Sequence, residues 1–155
     1  MPQHFLSPLA REITIVQWRD PLVEQHGYDM RGIYVERFWL PVLGPTCTFL
    51  LRRVAENFDS RPDGFVVNLE EIGAQLGVAY NESPHNALTR AFTRTALFGF
   101  AQHTVHHGRE CVAMRRVAPP LAQRHIKRLP ASLVATLEVW NNSAQMPIRC
   151  ASNSR

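Results

Sequence analysis

The sequence predicts an α+β fold that is mostly helical. Three observations support this class: two helical patterns joined by a turn, a basic β-hairpin directly after them, and positive charge concentrated on the second helix and the hairpin. The chain has 155 residues, a length that suits one domain with a sizeable core. We expect that domain to span residues 32–118.

The N-terminal third contains the least regular pattern. Residues 1–31 are predicted to form a poorly patterned arm, although the β-rich run at residues 12–18 could equally form a short strand. A first helix is expected to begin near Gly32, and Pro41 and the Gly44-Pro45 pair are expected to break it. Another helix should begin at Pro45, because proline suits the first helical turn.

The predicted helix-turn-helix follows a loop at residues 59–64 and a β-forming run at residues 65–67. Asn68 is expected to cap its first helix, and Gly77 is placed to end that helix in a left-handed conformation. The second helix, residues 83–98, should begin with Ser83 as cap and Pro84 in the first turn. Its apolar positions face inward, so six polar residues are predicted to point outward: His85, Asn86, Thr89, Arg90, Thr93 and Arg94.

Residues 100–116 are predicted to form the hairpin, with its turn at His106-His107-Gly108. Helical patterns at residues 121–128 and 131–140 form a C-terminal segment, residues 119–141, and residues 142–155 are expected to be a flexible tail. The apolar residues of that segment could pack on the domain or form a homodimer interface. They are Leu121, Ile126, Leu129, Leu133, Leu137 and Trp140.

Composition excludes several classes of protein. No run of eighteen apolar residues is present, so a membrane span is not expected. The first residues lack the basic and apolar regions of a signal peptide. Cys47, Cys111 and Cys150 are an odd number without a CxxC pair, which argues against a disulfide scaffold and favours the reducing cytoplasm.

Charge is distributed unevenly along the chain. Residues 85–128 contain eight Arg and Lys residues and one acid, a net charge of +7. Residues 1–82 contain seven Arg and eleven acidic residues, a net charge of −4, so the overall +4 conceals a polarised molecule. Such polarity is typical of nucleic-acid-binding proteins, although a charged face can also be inert.

The run Leu69-Glu70-Glu71-Ile72-Gly73-Ala74-Gln75-Leu76-Gly77-Val78, together with Arg90-Ala91-Phe92-Thr93-Arg94, resembles bacterial winged helix-turn-helix proteins. The segment Trp39-Leu40-Pro41-Val42-Leu43-Gly44-Pro45-Thr46 is also similar to the opening of winged-helix modules in replication-initiation proteins. Such modules bind DNA or a partner protein. The resemblance implies a short strand at residues 65–67 that pairs with the hairpin.

The resemblance implies binding of double-stranded DNA by a transcriptional regulator, with residues 83–98 in the major groove and the hairpin on the flanking backbone. Asn86 and Arg90 are candidates for base contacts, since Asn suits adenine and Arg suits guanine. Thr89, Thr93 and Arg94 would face the groove or nearby phosphates. Arg109, Arg115 and Arg116 would contact the backbone beside the hairpin.

Other chemistry is not predicted. Neither a GxSxG motif, a Walker A loop nor a GxGxxG loop is present, so we expect neither an enzyme nor a cofactor. His103, His106, His107 and Cys111 raise the question of a metal site, but neighbouring side chains on a hairpin should diverge. The alternative function is a protein-interaction module, an accessory subunit of the replication or transcription machinery.

Overall fold

The computed structural model describes residues 5–6, 11–81, 83 and 85–144. The predicted α+β class is confirmed, with helices packed on a mixed sheet. In chain order the elements are β1 (Glu12–Gln17), α1 (Pro21–His26), β2 (Tyr28–Asp29), a π-helical turn (Val35–Trp39), α2 (Leu40–Leu43), α3 (Pro45–Ser60), β3 (Phe65–Asn68), α4 (Leu69–Gln75), α5 (Ala87–Leu97), β4 (Ala101–His106), β5 (Arg109–Met114), β6 (Val117–Ala118), α6 (Gln123–Ile126) and α7 (Ala131–Ala144).

The main sheet has the strand order β3-β1-β5-β4. β1 is antiparallel to β3 and parallel to β5, while β4 and β5 form an antiparallel hairpin. Ile15 and Val16 point to opposite faces of the sheet, and both are buried, as expected for an internal strand. The alternative of a strand at residues 12–18 is therefore correct, and it belongs to the centre of the fold rather than to an arm.

This position of β1 corrects the expected pairing of residues 65–67. β3 pairs with β1 and does not pair with the hairpin, because β1 lies between them. β2 and β6 form a second, two-stranded antiparallel sheet, which joins the segment after α1 to the segment after the hairpin.

The predicted break at Gly44 is confirmed, but the one at Pro41 is wrong. Gly44 has a φ of 82° and separates α2 from α3. Pro41 instead lies in the first turn of α2, and the chain is helical without interruption from Ile33 to Leu43. The preceding turn is π-helical, since Leu40 N–H donates to the Val35 carbonyl, five residues earlier.

α4 and α5 form the predicted pair of helices, with one correction at the second cap. Asn68 caps α4 by accepting from Glu71 N–H at 2.9 Å, and Gly77 has the expected left-handed conformation with a φ of 74°. α5 begins at Ala87 with Asn86 as its cap, so Ser83 is not the cap. Ser83 Oγ instead accepts from His85 N–H, and Pro84 lies outside the described residues.

The hairpin turn is where the sequence predicts it. His106 pairs with Arg109, and the two residues between them, His107 and Gly108, both have positive φ angles of 50° and 73°. A two-residue loop with two positive φ angles matches the twist of the strands that it joins. The hairpin therefore ends in a tight turn with Arg109 next to it.

The C-terminal helices pack on the same core as the rest of the chain. Leu121, Leu129 and Leu137 are buried there, and Ile126, Leu133 and Trp140 pack against it. The residues considered for a homodimer interface are thus used within the chain. α7 continues through Ala144, which is beyond the expected end of the helix, and residues 145–155 lie outside the described residues.

Candidate nucleic-acid interface

The solvent-facing side of α5 is narrower than the sequence predicts. Arg90, Thr93, Arg94 and Leu97 are exposed along one face, at the spacing of successive helical turns. Thr89, predicted to point outward, is only 6% exposed. Thr89 is buried because α5 packs against both α3 and β4, which leaves only a narrow face of the helix exposed to solvent.

Asn86 uses its whole side-chain amide to begin α5. Its Oδ1 accepts from Thr89 N–H at 2.9 Å. Its Nδ2 donates to the Ser83 carbonyl at 2.6 Å and to the Asn81 carbonyl at 3.1 Å. A base contact through the same amide would require these bonds to break, so the geometry gives Asn86 a structural role.

Arg90 and Arg94 lie one turn apart on the exposed face and keep most of their hydrogen-bonding capacity. Arg90 Nη1 donates to the His85 carbonyl at 2.8 Å, and Arg94 Nη2 donates to the Val42 carbonyl at 3.2 Å. Among the described residues, no carboxylate forms an ion pair with either guanidinium. Since a guanidinium has five N–H donors, both can still bind an anion.

A cleft of about 160 Å³ separates these two arginines from the beginning of α3. Gly44, Pro45 and Thr46 form its other wall, and α3 begins without a side-chain cap. The first N–H groups of a helix have no partner within the helix and carry partial positive charge. The two guanidinium groups and the beginning of α3 therefore favour an anion in this cleft.

Cys47 also lines the cleft, but it does not supply a reactive thiolate. Burial raises the pKa of the Cys47 thiol to about 12, and the nearby Arg94 lowers it only in part. At neutral pH the thiol is protonated and acts as a small packing residue.

Arg115 is a structural residue. Its guanidinium forms an ion pair with Asp20 at 3.0 Å and lies 3.8 Å from the centre of the Trp18 ring. Its Nε donates to the Gly99 carbonyl at 2.7 Å, and its side chain is only 11% exposed. The hydrogen bond from Arg115 is the main reason why the pKa of Asp20 lies below its usual value.

Arg116 is also paired within the chain. Its guanidinium contacts the Asp59 carboxylate, which additionally pairs with Arg31 at 2.7 Å. Arg115 and Arg116 therefore contribute little uncompensated charge to a DNA surface, in contrast to the sequence-based expectation.

Arg109 and the histidines lie along the hairpin. Arg109 is exposed at the beginning of β5, five residues of strand away from Ala101, or about 17 Å. The His106 and His107 rings do not diverge as expected, since their centres are 4.1 Å apart. In the described segments, however, no three His, Cys, Asp or Glu residues form a cluster that could hold a metal ion.

Three basic residues at α6 join the α5 surface, and none was singled out from the sequence. The Arg128 guanidinium lies 5.6 Å from the centre of the Phe98 ring, and the Arg94 guanidinium lies 5.9 Å from the same centre. Arg124 and Lys127, on the same short helix and its C-cap, are exposed. The sequence shows the charge of this run but not that it lies beside α5, since that depends on tertiary packing.

Comparison with protein-family models, with characterised proteins and with solved structures gave no match to this chain. In the parts of the chain that the structure describes, no helix combines the length and apolar character needed to cross a membrane.

Proposed function

We propose that this protein is a winged-helix transcriptional regulator that binds double-stranded DNA in a sequence-specific manner. The observation that carries the proposal is the exposed face of α5, where Arg90 and Arg94 lie without a carboxylate partner among the described residues. A short helix with a cationic face, next to a hairpin, has the shape required to enter the major groove.

In the proposed complex, Arg90 is the candidate for a base contact because it is exposed in the first turn of α5. A bidentate Arg–guanine contact gives discrimination of about 1–3 kcal/mol. Arg94 and the beginning of α3 would hold a backbone phosphate in the cleft between them. Thr93 would contact the same groove, and Arg109 would reach the flanking backbone from the hairpin.

The proposed contact set is smaller than the set expected from the sequence. Asn86, Thr89, Arg115 and Arg116 are assigned to the structure of the protein itself, for the reasons given above. Arg90, Thr93, Arg94 and Arg109 remain as proposed DNA contacts.

The test is fluorescence anisotropy with labelled random-sequence duplex DNA, for the wild type and for the double variant Arg90→Ala/Arg94→Ala. We expect the wild type to bind at low salt and the double variant to lose most of this binding while its thermal unfolding is little changed. The matched control is Arg37→Ala/Arg61→Ala. It removes the same charge from two exposed residues outside α5, α6 and the hairpin. Equal binding by both double variants would exclude α5 as the DNA-binding element.

A protein-interaction module is the second candidate, and a specific observation favours it. Leu97 is 75% exposed on the same face of α5, and Val105 on β4 is 69% exposed. Exposed apolar residues of this size suit a protein partner, for example in the replication or transcription machinery. Wild-type protein that fails to bind any duplex at low salt would favour this function over DNA binding.

A further inference from the structure

α6 lies beside Phe98 at the end of α5, and buried residues fix the position of that short helix. The His125 ring lies 5.1 Å from the Trp39 ring and 5.5 Å from the Phe98 ring, measured between centres. Leu121 and Leu129, on either side of α6, are also buried. The basic residues around His125 are therefore held on a rigid support next to α5.

Those basic residues carry charge that no described carboxylate balances in an ion pair. Arg124, Lys127 and Arg128 are exposed, and none forms an ion pair with a described carboxylate. Arg128 and Arg94 contact the same Phe98 ring, so their guanidinium carbons are at most 11.5 Å apart, the sum of 5.6 and 5.9 Å. Successive phosphates of one DNA strand rise by about 3.4 Å along the helix axis, so both cations can reach phosphates of the same strand.

We propose that Arg124, Lys127 and Arg128, which we call the α6 ridge, form a second contact with the DNA backbone and extend the footprint of α5 along one strand. This inference rests on the proposed DNA-binding function. The α6 helix has only four residues, which is too short to read a groove, whereas flexible exposed cations suit phosphates. The ridge should therefore add affinity that does not depend on DNA sequence.

The experiment measures the salt dependence of DNA binding for Arg124→Ala/Lys127→Ala/Arg128→Ala. Each lost phosphate contact lowers the slope of log K against log salt by about 0.9, so the triple variant should show a slope reduced by about 2 to 3. The variant Arg124→Lys/Arg128→Lys keeps the charge and should keep the slope. Arg37→Ala/Arg61→Ala is again the control for general charge.

A second variant protects the test against misfolding. Arg124 Nε donates to His125 Nε2 at 3.3 Å, so its loss could disturb α6. Lys127→Ala/Arg128→Ala leaves that bond in place and should lower the slope by about 1 to 2.

The possible failures can be told apart. If the wild type binds DNA and the variants retain its slope, the α6 ridge is not a DNA contact and the proposed function stands. If the wild type binds no duplex, both proposals fail. If the triple variant loses binding to polyglutamate while its DNA slope is unchanged, the ridge belongs to an acidic protein partner and the inference is overturned.

Discussion

The environment of His125 differs from that of a solvent-exposed histidine. It is buried, its Nδ1 is a buried nitrogen for which the described residues provide no hydrogen-bond partner, and Arg124 and Arg128 lie close to it. Burial first, and then these two cations, lower its pKa below the usual 6.5. A buried ring in this setting is held in its neutral form.

This lowered pKa predicts loss of stability in acid. The pKa of His125 is lower in the folded chain than in the unfolded chain, so between the two values the unfolded chain binds more protons. The stabilising contribution is therefore complete above the unfolded pKa of about 6.5 and decreases as the pH falls below it. Urea unfolding at a series of pH values between about 5 and 8 measures this decrease.

The control for this prediction is His125→Gln, which removes the titrating ring and leaves the other histidines in place. Its unfolding free energy should depend less on pH over the same range than that of the wild type. An identical pH dependence in both proteins would show that His125 is not the group responsible.

At the scale of elements, the cap of α5 gives a prediction that distinguishes Asn86, the cap in the structure, from Ser83, the cap expected from the sequence pattern. Asn86→Ala removes the cap bond to Thr89 and two bonds to carbonyls, and we expect it to lower the unfolding free energy by about 1 kcal/mol or somewhat more. Ser83→Ala removes only an acceptor for His85 N–H, at 3.3 Å, and should cost less. Denaturant unfolding of both variants provides the comparison.

Asn86→Asp is the informative companion to these two variants. It keeps an oxygen that can accept from Thr89 N–H but loses both donors, so its stability should lie between those of the wild type and Asn86→Ala. If Ser83→Ala proved the more destabilising of the two alanine variants, α5 would begin where the sequence pattern places it.

Local signals predicted the elements well where one signal was clear. Asn68 before Leu69 fixed the beginning of α4, and His107-Gly108 fixed the turn of the hairpin. Ser83 and Asn86 are both good caps, so local preference could not choose between them. The central position of β1 could not be predicted at all, because it depends on pairing with β3, at least 50 residues further along the chain, and with β5, 97 residues further.

At the scale of the whole molecule, the sequence predicts a positive pole but not which of its charges are available. Arg115 pairs with Asp20, 95 residues away, and Arg116 pairs with Asp59, 57 residues away. Such distant partners leave no signal in the local sequence. Of the eight basic residues between positions 85 and 128, two are thus paired and six remain without a described carboxylate: Arg90, Arg94, Arg109, Arg124, Lys127 and Arg128.

This division predicts opposite behaviour for two arginines that the sequence treats alike. Arg115→Ala should lower the unfolding free energy by about 1–3 kcal/mol, because the Gly99 carbonyl loses a charge-assisted hydrogen bond and the Trp18 ring loses a stacked cation. The salt slope of DNA binding should stay as in the wild type, about −4.5 for the five cations proposed to contact phosphate. Arg90→Ala should do the reverse: it should weaken binding to a guanine-containing site by about 1–3 kcal/mol and change stability by no more than about 0.5 kcal/mol. Parallel urea unfolding and anisotropy titrations on the two variants measure the stability and the DNA binding of each.

A reduced slope with Arg115→Ala, at unchanged stability, would mean that Asp20 releases this guanidinium to DNA. The positive pole would then be larger than the structure of the free protein indicates.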